Sequence, residues 1–192
     1  MKLGKVSLTD LIIDLMKKEY LKKEIDYMFN GTNDKAINTG SLLNKAKVFT
    51  PTQTEPVKII KELKNTPSTN VINKARWIVN KAAIQYAEDL TLPNGEPALK
   101  TIDREDGGVS YMLLGFPLDF TDAVKGSNDS AAVFYFGDFS SFKIHENSAG
   151  LEIETITGMY AHLNEFAFKL YNLIDGKLIY SPVEPTVYRL EV

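Results

Sequence analysis

The chain has 192 residues, 44% of them hydrophobic, enough to bury a core as one large domain or as two smaller interleaved ones. Its 22 basic and 25 acidic residues leave a net charge of −3 with no basic block, so there is no electrostatic footprint for direct sequence-specific nucleic-acid binding. Without cysteine there is no thiol catalysis, disulfide or cysteine-ligated metal. No run approaches the ~18 apolar residues of a membrane-spanning helix, and the start MKLGKVSLTD lacks the apolar centre of a secretion signal, so a soluble intracellular protein is expected.

In chain order, Ser7 with Asp10 three residues on reads as a capping box opening a helix from Leu8 to Met28, stopped by Asn30-Gly31. Its first half presents Leu8, Leu11, Ile12, Leu15 and Met16, whereas Leu21, Ile25, Met28 and Phe29 fall on a rotated face, so the two halves meet different neighbours. Residues 31–54, rich in Asn, Thr, Lys and Gly, read as a loop-like connection. Thr54 as N-cap and Pro56 then introduce a short helix with Val57, Ile60 and Leu63 on one face, ending before Pro67. Ala75 to Asn80 reads as a buried strand. Lys81 to Asp89 reads as a helix with Ala82, Ala83, Tyr86 and Leu90 inward, closed at Pro93-Asn94-Gly95.

From Gly107 to Ile156 the pattern changes to strands punctuated by glycine. Met112 to Leu114, Phe116 to Phe120 and Ala131 to Phe136 are apolar runs of strand length, separated by turn formers at Gly115, Gly126 to Asp129, Gly137 and Gly150. Around Phe142 and Ile144, and again at Leu151, Ile153 and Ile156, apolar residues mostly alternate with charged ones, the mark of a strand with one wet face. Two further strands, Glu165 to Leu173 and Lys177 to Tyr180, are expected to form a hairpin at Asp175-Gly176. Pro182 and Pro185 precede a last strand, Thr186 to Val192.

The order LLGFPLDFTDA, FYFGDFSSFKI, SAGLEIETI resembles the C-terminal half of tailed-phage major capsid proteins of the Hong Kong 97 type, with Gly115, Pro117, Gly137, Asp138 and Phe139 as the structural motif. The first helix followed by FNGTND is similar to that family's spine helix and the turn leaving it, and the strand WIVN leading into a helix is similar to its axial domain. The resemblance implies an α+β fold with a peripheral domain (1–30 and 148–182, spine helix plus strands) and an axial domain (31–147 and 183–192). It implies a structural capsid protein of a phage or prophage, located in the virion or the bacterial cytoplasm. Such a protein acts through contacts with itself in pentamer- or hexamer-type rings, or with other capsid subunits, and has no catalytic role, cofactor, metal or small-molecule substrate. Candidate subunit-interface residues are Asp103, Arg104, Asp106, Lys125 and Asn128, in loops that cluster around the ring axis in capsids.

The family usually carries an N-terminal arm and a long extended loop before the spine helix, and the sequence as given shows neither. Monomers or small oligomers in dilute solution, rings at high concentration and no closed shell are therefore expected from this chain alone. The alternative is a capsid-derived or encapsulin-like protein that binds another protein without building a virion. A third reading is an unrelated α+β enzyme using the acidic loop Asp103 to Asp106.

Residue chemistry adds little to that third reading. His145 and His162 have no motif partners for a triad or a zinc site. Asp103/Glu105/Asp106 and Asp119/Asp122 occupy a Gly-rich loop and a strand end, where carboxylates are ordinarily solvated. Gly107-Gly108 lacks the spacing of a phosphate-binding loop. Asp138, beside a strand-ending glycine, reads as an acceptor for turn N–H groups, and Trp77 as core.

Overall fold

The computed structural model describes residues 7–31, 38–103, 108–128, 130–148, 150–158, 163, 165–179 and 184–192. Arg104, Glu105, Asp106, Gly107, Asp129, His162, Tyr180, Pro182 and residues 32–37 lie outside these. The main sheet has the spatial order β1 (Lys47–Val48), β11 (Val187–Glu191), β6 (Val133–Gly137), β2 (Arg76–Val79), β5 (Phe116–Phe120), β4 (Val109–Leu113), β3 (Leu99–Asp103). Pairing is antiparallel except at β1–β11 and β2–β5. Two antiparallel ribbons stand beside it: β7 (Phe142–Glu146) with β10 (Ile174–Leu178), and β8 (Glu152–Ile156) with β9 (Ala167–Tyr171).

The continuous apolar run of β6 is a strand covered on both faces, every residue of it buried. Phe134 and Phe136 point to one side with Trp77, Val79, Leu118 and Leu190, under α3 (Pro56–Asn65) and α5 (Lys81–Glu88). The Trp77 ring lies 4.2 Å from that of Phe136, and its indole N–H donates to the Leu113 carbonyl at 3.0 Å. Val133 and Tyr135 point to the other side with Val187, Val124, Leu178 and Leu42 of α2 (Leu42–Lys45). There Phe29, from α1 (Leu8–Asn30), meets Tyr135 edge to face. Burial pushes the Tyr135 hydroxyl up to about 12, with Arg189 pulling the other way.

Several local expectations shift. Gly31 caps α1 in the left-handed region at φ 77°, but the Ser7 side chain makes no cap hydrogen bond, so the capping box does not form. The N-cap of α3 is Glu55, one residue past Thr54, with Pro56 inside the first turn. The segment expected to be loop-like contributes α2, capped by the Ser41 hydroxyl, and the edge strand β1. A further short helix, α4 (Thr69–Ile72), precedes β2. β4 and β5 join through Leu114-Gly115, whose positive φ values of 50° and 87° are those of a type I′ hairpin turn.

Asp175-Gly176 is not a hairpin. Both residues lie inside β10, where Gly176 pairs with Ile144, and β9 takes β8 as its partner instead. Glycine is needed there for close approach, because a methyl group at Gly176 would overlap Met28 and Phe142. α1 therefore does pack on strands of the C-terminal third, with Met28 seated against β10.

Candidate subunit-contact surfaces

The sheet register sets the C-terminal ends of β3, β5, β2 and β11 and the N-terminal ends of β4 and β6 at one end of the sheet. This collects Asp103, the segment 121–128 and the start of α5, although they are far apart in sequence. Asn80, one of the few buried polar residues, locks that end. Its Oδ1 accepts from the Ala83 and Val133 N–H groups at 2.9 and 3.1 Å, and its Nδ2 donates to the Ala131 carbonyl at 2.7 Å. The sequence signal for this was an Asn between an apolar strand and a helix, an N-cap pattern.

Of the sequence-derived interface candidates, Asp103 ends β3 and is exposed, while Arg104 and Asp106 lie outside the described residues. Lys125 is engaged within the chain, its ammonium 2.6 Å from Asp26 of α1. Asn30 adds to this latch by donating to the Ala123 carbonyl at 2.7 Å and to Asp26 at 2.6 Å. Asn128 turns its own loop by accepting from the Ser130 N–H at 2.9 Å. The adjacent Ser127 donates to Glu191 from its side chain and its N–H, which holds that carboxyl below its usual range with Arg189 assisting.

The Gly137 motif closes the opposite end. A methyl group at Gly137 would overlap the Thr186 carbonyl oxygen, and φ there is 152°. Next to it the Asp138 carboxylate accepts from the Ser140 N–H at 2.9 Å, capping the short 3-10 turn Phe139–Ser141. Gly115 forms the β4–β5 turn, and Pro117 sits opposite Met112 within that hairpin.

Periodicity alone could not show which side of α1 faces the chain. Ile12, Ile13, Met16, Tyr20, Glu24 and Tyr27 are half-buried and Met28 is buried. Leu8, Leu11 and Leu15 are 71%, 48% and 54% exposed, with Leu21 and Ile25 also outward. On the inner side partial burial pushes the Glu24 carboxyl above its usual range, Tyr20 opposes this with a hydrogen bond, and the charge of Glu146 on β7 adds to it. Among the described residues no group of three or more His, Asp or Glu could hold a metal ion, and no helix is long and apolar enough to cross a membrane.

The sequence profile of the phage capsid family matches residues 2–186. The chain belongs to that family. It is a structural capsid protein, and its α+β fold is the Hong Kong 97 type. The fold is similar to a chain of the "capsid of empty GTA particle computed with C5 symmetry", with 13% identity and TM-score 0.69, covering 98% of this chain and 68% of that one. The corresponding chain of the native GTA particle gives 13% and 0.73, covering 98% and 73%. The holo-SrpI encapsulin complex from Synechococcus elongatus PCC 7942 gives 15% and 0.57, covering 95% of the capsid chain and 63% of the encapsulin chain. No curated protein sequence matches.

Proposed function

We propose that this capsid protein associates with copies of itself, in pentamer- or hexamer-type rings and then in a shell, in the virion or in the bacterial cytoplasm where the shell is built. The observation that carries the reading is the outward stripe Leu8, Leu11, Leu15 on a helix whose other side is already docked. Apolar side chains in a row on one helix face are uncovered in the lone subunit and gain by meeting a neighbour. The sheet end bearing Asp103 and Asn128 is the second contact surface, facing the ring axis. Lys125 acts there as the brace that fixes this end to α1. No enzymatic step, cofactor, small-molecule substrate or direct sequence-specific nucleic-acid contact enters this function.

In the same reading α1 with the two ribbons is the peripheral domain, and the seven-stranded sheet with α3, α4 and α5 is the axial domain. Because β7 shares a ladder with β10, we place residues 142–147 in the peripheral domain and not, as the sequence boundary at 147 has it, in the axial one.

The test is sedimentation velocity over a wide concentration range on the parent and on Leu11→Glu/Leu15→Glu. Concentration-dependent association that the double variant loses, with an unchanged melting midpoint, is expected. Equal association of the two proteins would remove α1 from the contact. A second reading, a shell that encloses another protein, is favoured by the likeness to the encapsulin complex. It requires a protein other than the capsid chain inside purified particles, which mass spectrometry of those particles reads directly.

A further inference from the structure

A concave surface lies between α3 and the outer strand of the sheet. It is lined by Lys61 and Lys64 of α3, the Leu92–Asn94 turn, Lys100, Thr101 and Ile102 of β3, and Met112 and Leu114 of the adjoining hairpin. Three consecutive residues of β3 line it, and because strand side chains alternate between faces, the cleft, which takes in Met112 beyond Lys100, also reaches the open edge of the strand. Among the described residues β3 pairs only with β4, so none of them covers its other edge in the sheet.

The register says which backbone groups point out. The two-residue turn Leu114-Gly115 makes Leu113 and Phe116 a mutually hydrogen-bonded pair, so the N–H and C=O of Leu113 face β5 and those of Met112 face β3. Met112 is opposite Lys100, and along β3 the bonding residues are therefore Lys100 and Ile102. The N–H and C=O of Thr101 are left facing the cleft.

The charge of the lining is one-sided. Lys100 is matched by Glu96 at 3.0 Å. Lys64 is half-buried and reaches only the Leu114 carbonyl, at 3.4 Å, and the face of Phe116. Lys61, also half-buried, has no ion pair among the described residues. Among the described residues no carboxylate lines the cleft, and its floor is apolar, with Leu92, Ile102, Met112 and Leu114. At the mouth of this site Leu114 holds a left-handed conformation that glycine or asparagine would adopt with less strain, and its side chain lines the cleft.

We propose that this cleft docks an extended acidic segment of a partner protein, which adds as an outer strand to β3. Thr101 supplies the main-chain pairing, the apolar floor takes every second side chain, and the carboxylates between them meet Lys61 and Lys64. The apolar floor, together with the absence of arginine and of any aromatic ring among the lining residues, favours a peptide over a nucleic acid.

The probe is a fluorescent peptide of alternating Val and Glu, titrated with the full chain at concentrations where sedimentation shows a single species, and read by anisotropy. Saturable binding is expected, weakened at least tenfold by Lys61→Glu/Lys64→Glu, weakened by added salt, and absent for a Val–Lys peptide. Thr101→Pro removes the outward N–H without taking a ladder hydrogen bond from β4, and is expected to abolish binding while Trp77 fluorescence reports an intact sheet. Three results would overturn the proposal: no binding of the Val–Glu peptide, binding unaffected by both variants, or tighter binding of a single-stranded oligonucleotide. A parent dimer abolished by the lysine variant would also overturn it, by assigning the cleft to a second copy. None of these outcomes bears on the contact made by α1, which the Leu11/Leu15 variant reads separately.

Discussion

The sheet around β6 and the body formed by α1 with its ribbons are built on different terms. β6 buries side chains on both faces and β2 buries Trp77 and Val79 on one, with Trp77, Phe134 and Phe136 completely enclosed. Met28 is the one residue of α1 that is buried, and each ribbon leaves at least half of its residues exposed. The buried centre of the sheet needs nothing outside the chain to be satisfied, whereas the helix body, like the rim of the sheet, keeps apolar surface for something else. A shell subunit can be divided this way, a centre carrying stability and a periphery carrying contacts.

The largest blow to the sheet is Trp77→Ala. It empties a wholly buried site and leaves the Leu113 carbonyl without its donor, for a loss of about 4 kcal/mol. Denaturant melts followed by far-UV circular dichroism check this, and a loss below about 1 kcal/mol would show the core to be plastic there. Gly137→Ala follows, at about 3 kcal/mol, because backbone and not a movable side chain occupies the space. Trp77 is the single tryptophan, so its fluorescence follows the sheet alone. If circular dichroism and fluorescence give different midpoints in the parent, the two bodies unfold separately and the contrast between them sharpens.

Asp138→Ala is expected to cost about 1 kcal/mol, the scale of one lost cap acceptor. An unchanged midpoint would show that Ser140 finds water instead. The smallest effect is in the helix body. The folded Glu24 has its pKa raised above the unfolded value, so its contribution is present at low pH and is lost as pH rises through the folded value. Glu24→Gln stays neutral and still accepts from Tyr20. It is therefore expected to be more stable than the parent at neutral pH, by only about a few tenths of a kcal/mol because the site is mostly solvated, with the gain vanishing toward pH ~4. A variant less stable than the parent at pH 7 would mean that the Glu24 charge supports the α1 contact.

What could be read from residues alone follows the range of the forces involved. Leu8–Asn30, β5 and β6, the Gly31 stop and the Gly137-Asp138 corner were legible because each is set by neighbours within a few positions. Asp175-Gly176 misled because a local turn signal was outweighed by a distant demand: Met28 and Phe142 need a residue without a side chain opposite them. The exposed face of α1 was invisible for the same reason, since periodicity marks apolar positions without saying which of them the chain itself will cover. Lys61 and Lys64 carry no signal in the sequence, and only the fold brings them beside the apolar lining of the cleft.

β11 separates β1 from β6, pairing Tyr188 with Lys47 on one side and Glu191 with Val133 on the other. A growing polypeptide exposes β1 and β6 to solvent before β11 has been translated, and the edge of the most apolar strand stays open during that interval. The subunit thus carries a timing rule in its topology: the sheet cannot close on the ribosome until the last of its strands emerges. Chains cut short before β11 would present the bare edge of β6 to one another, and quality control would see them as incomplete before any shell could take them in.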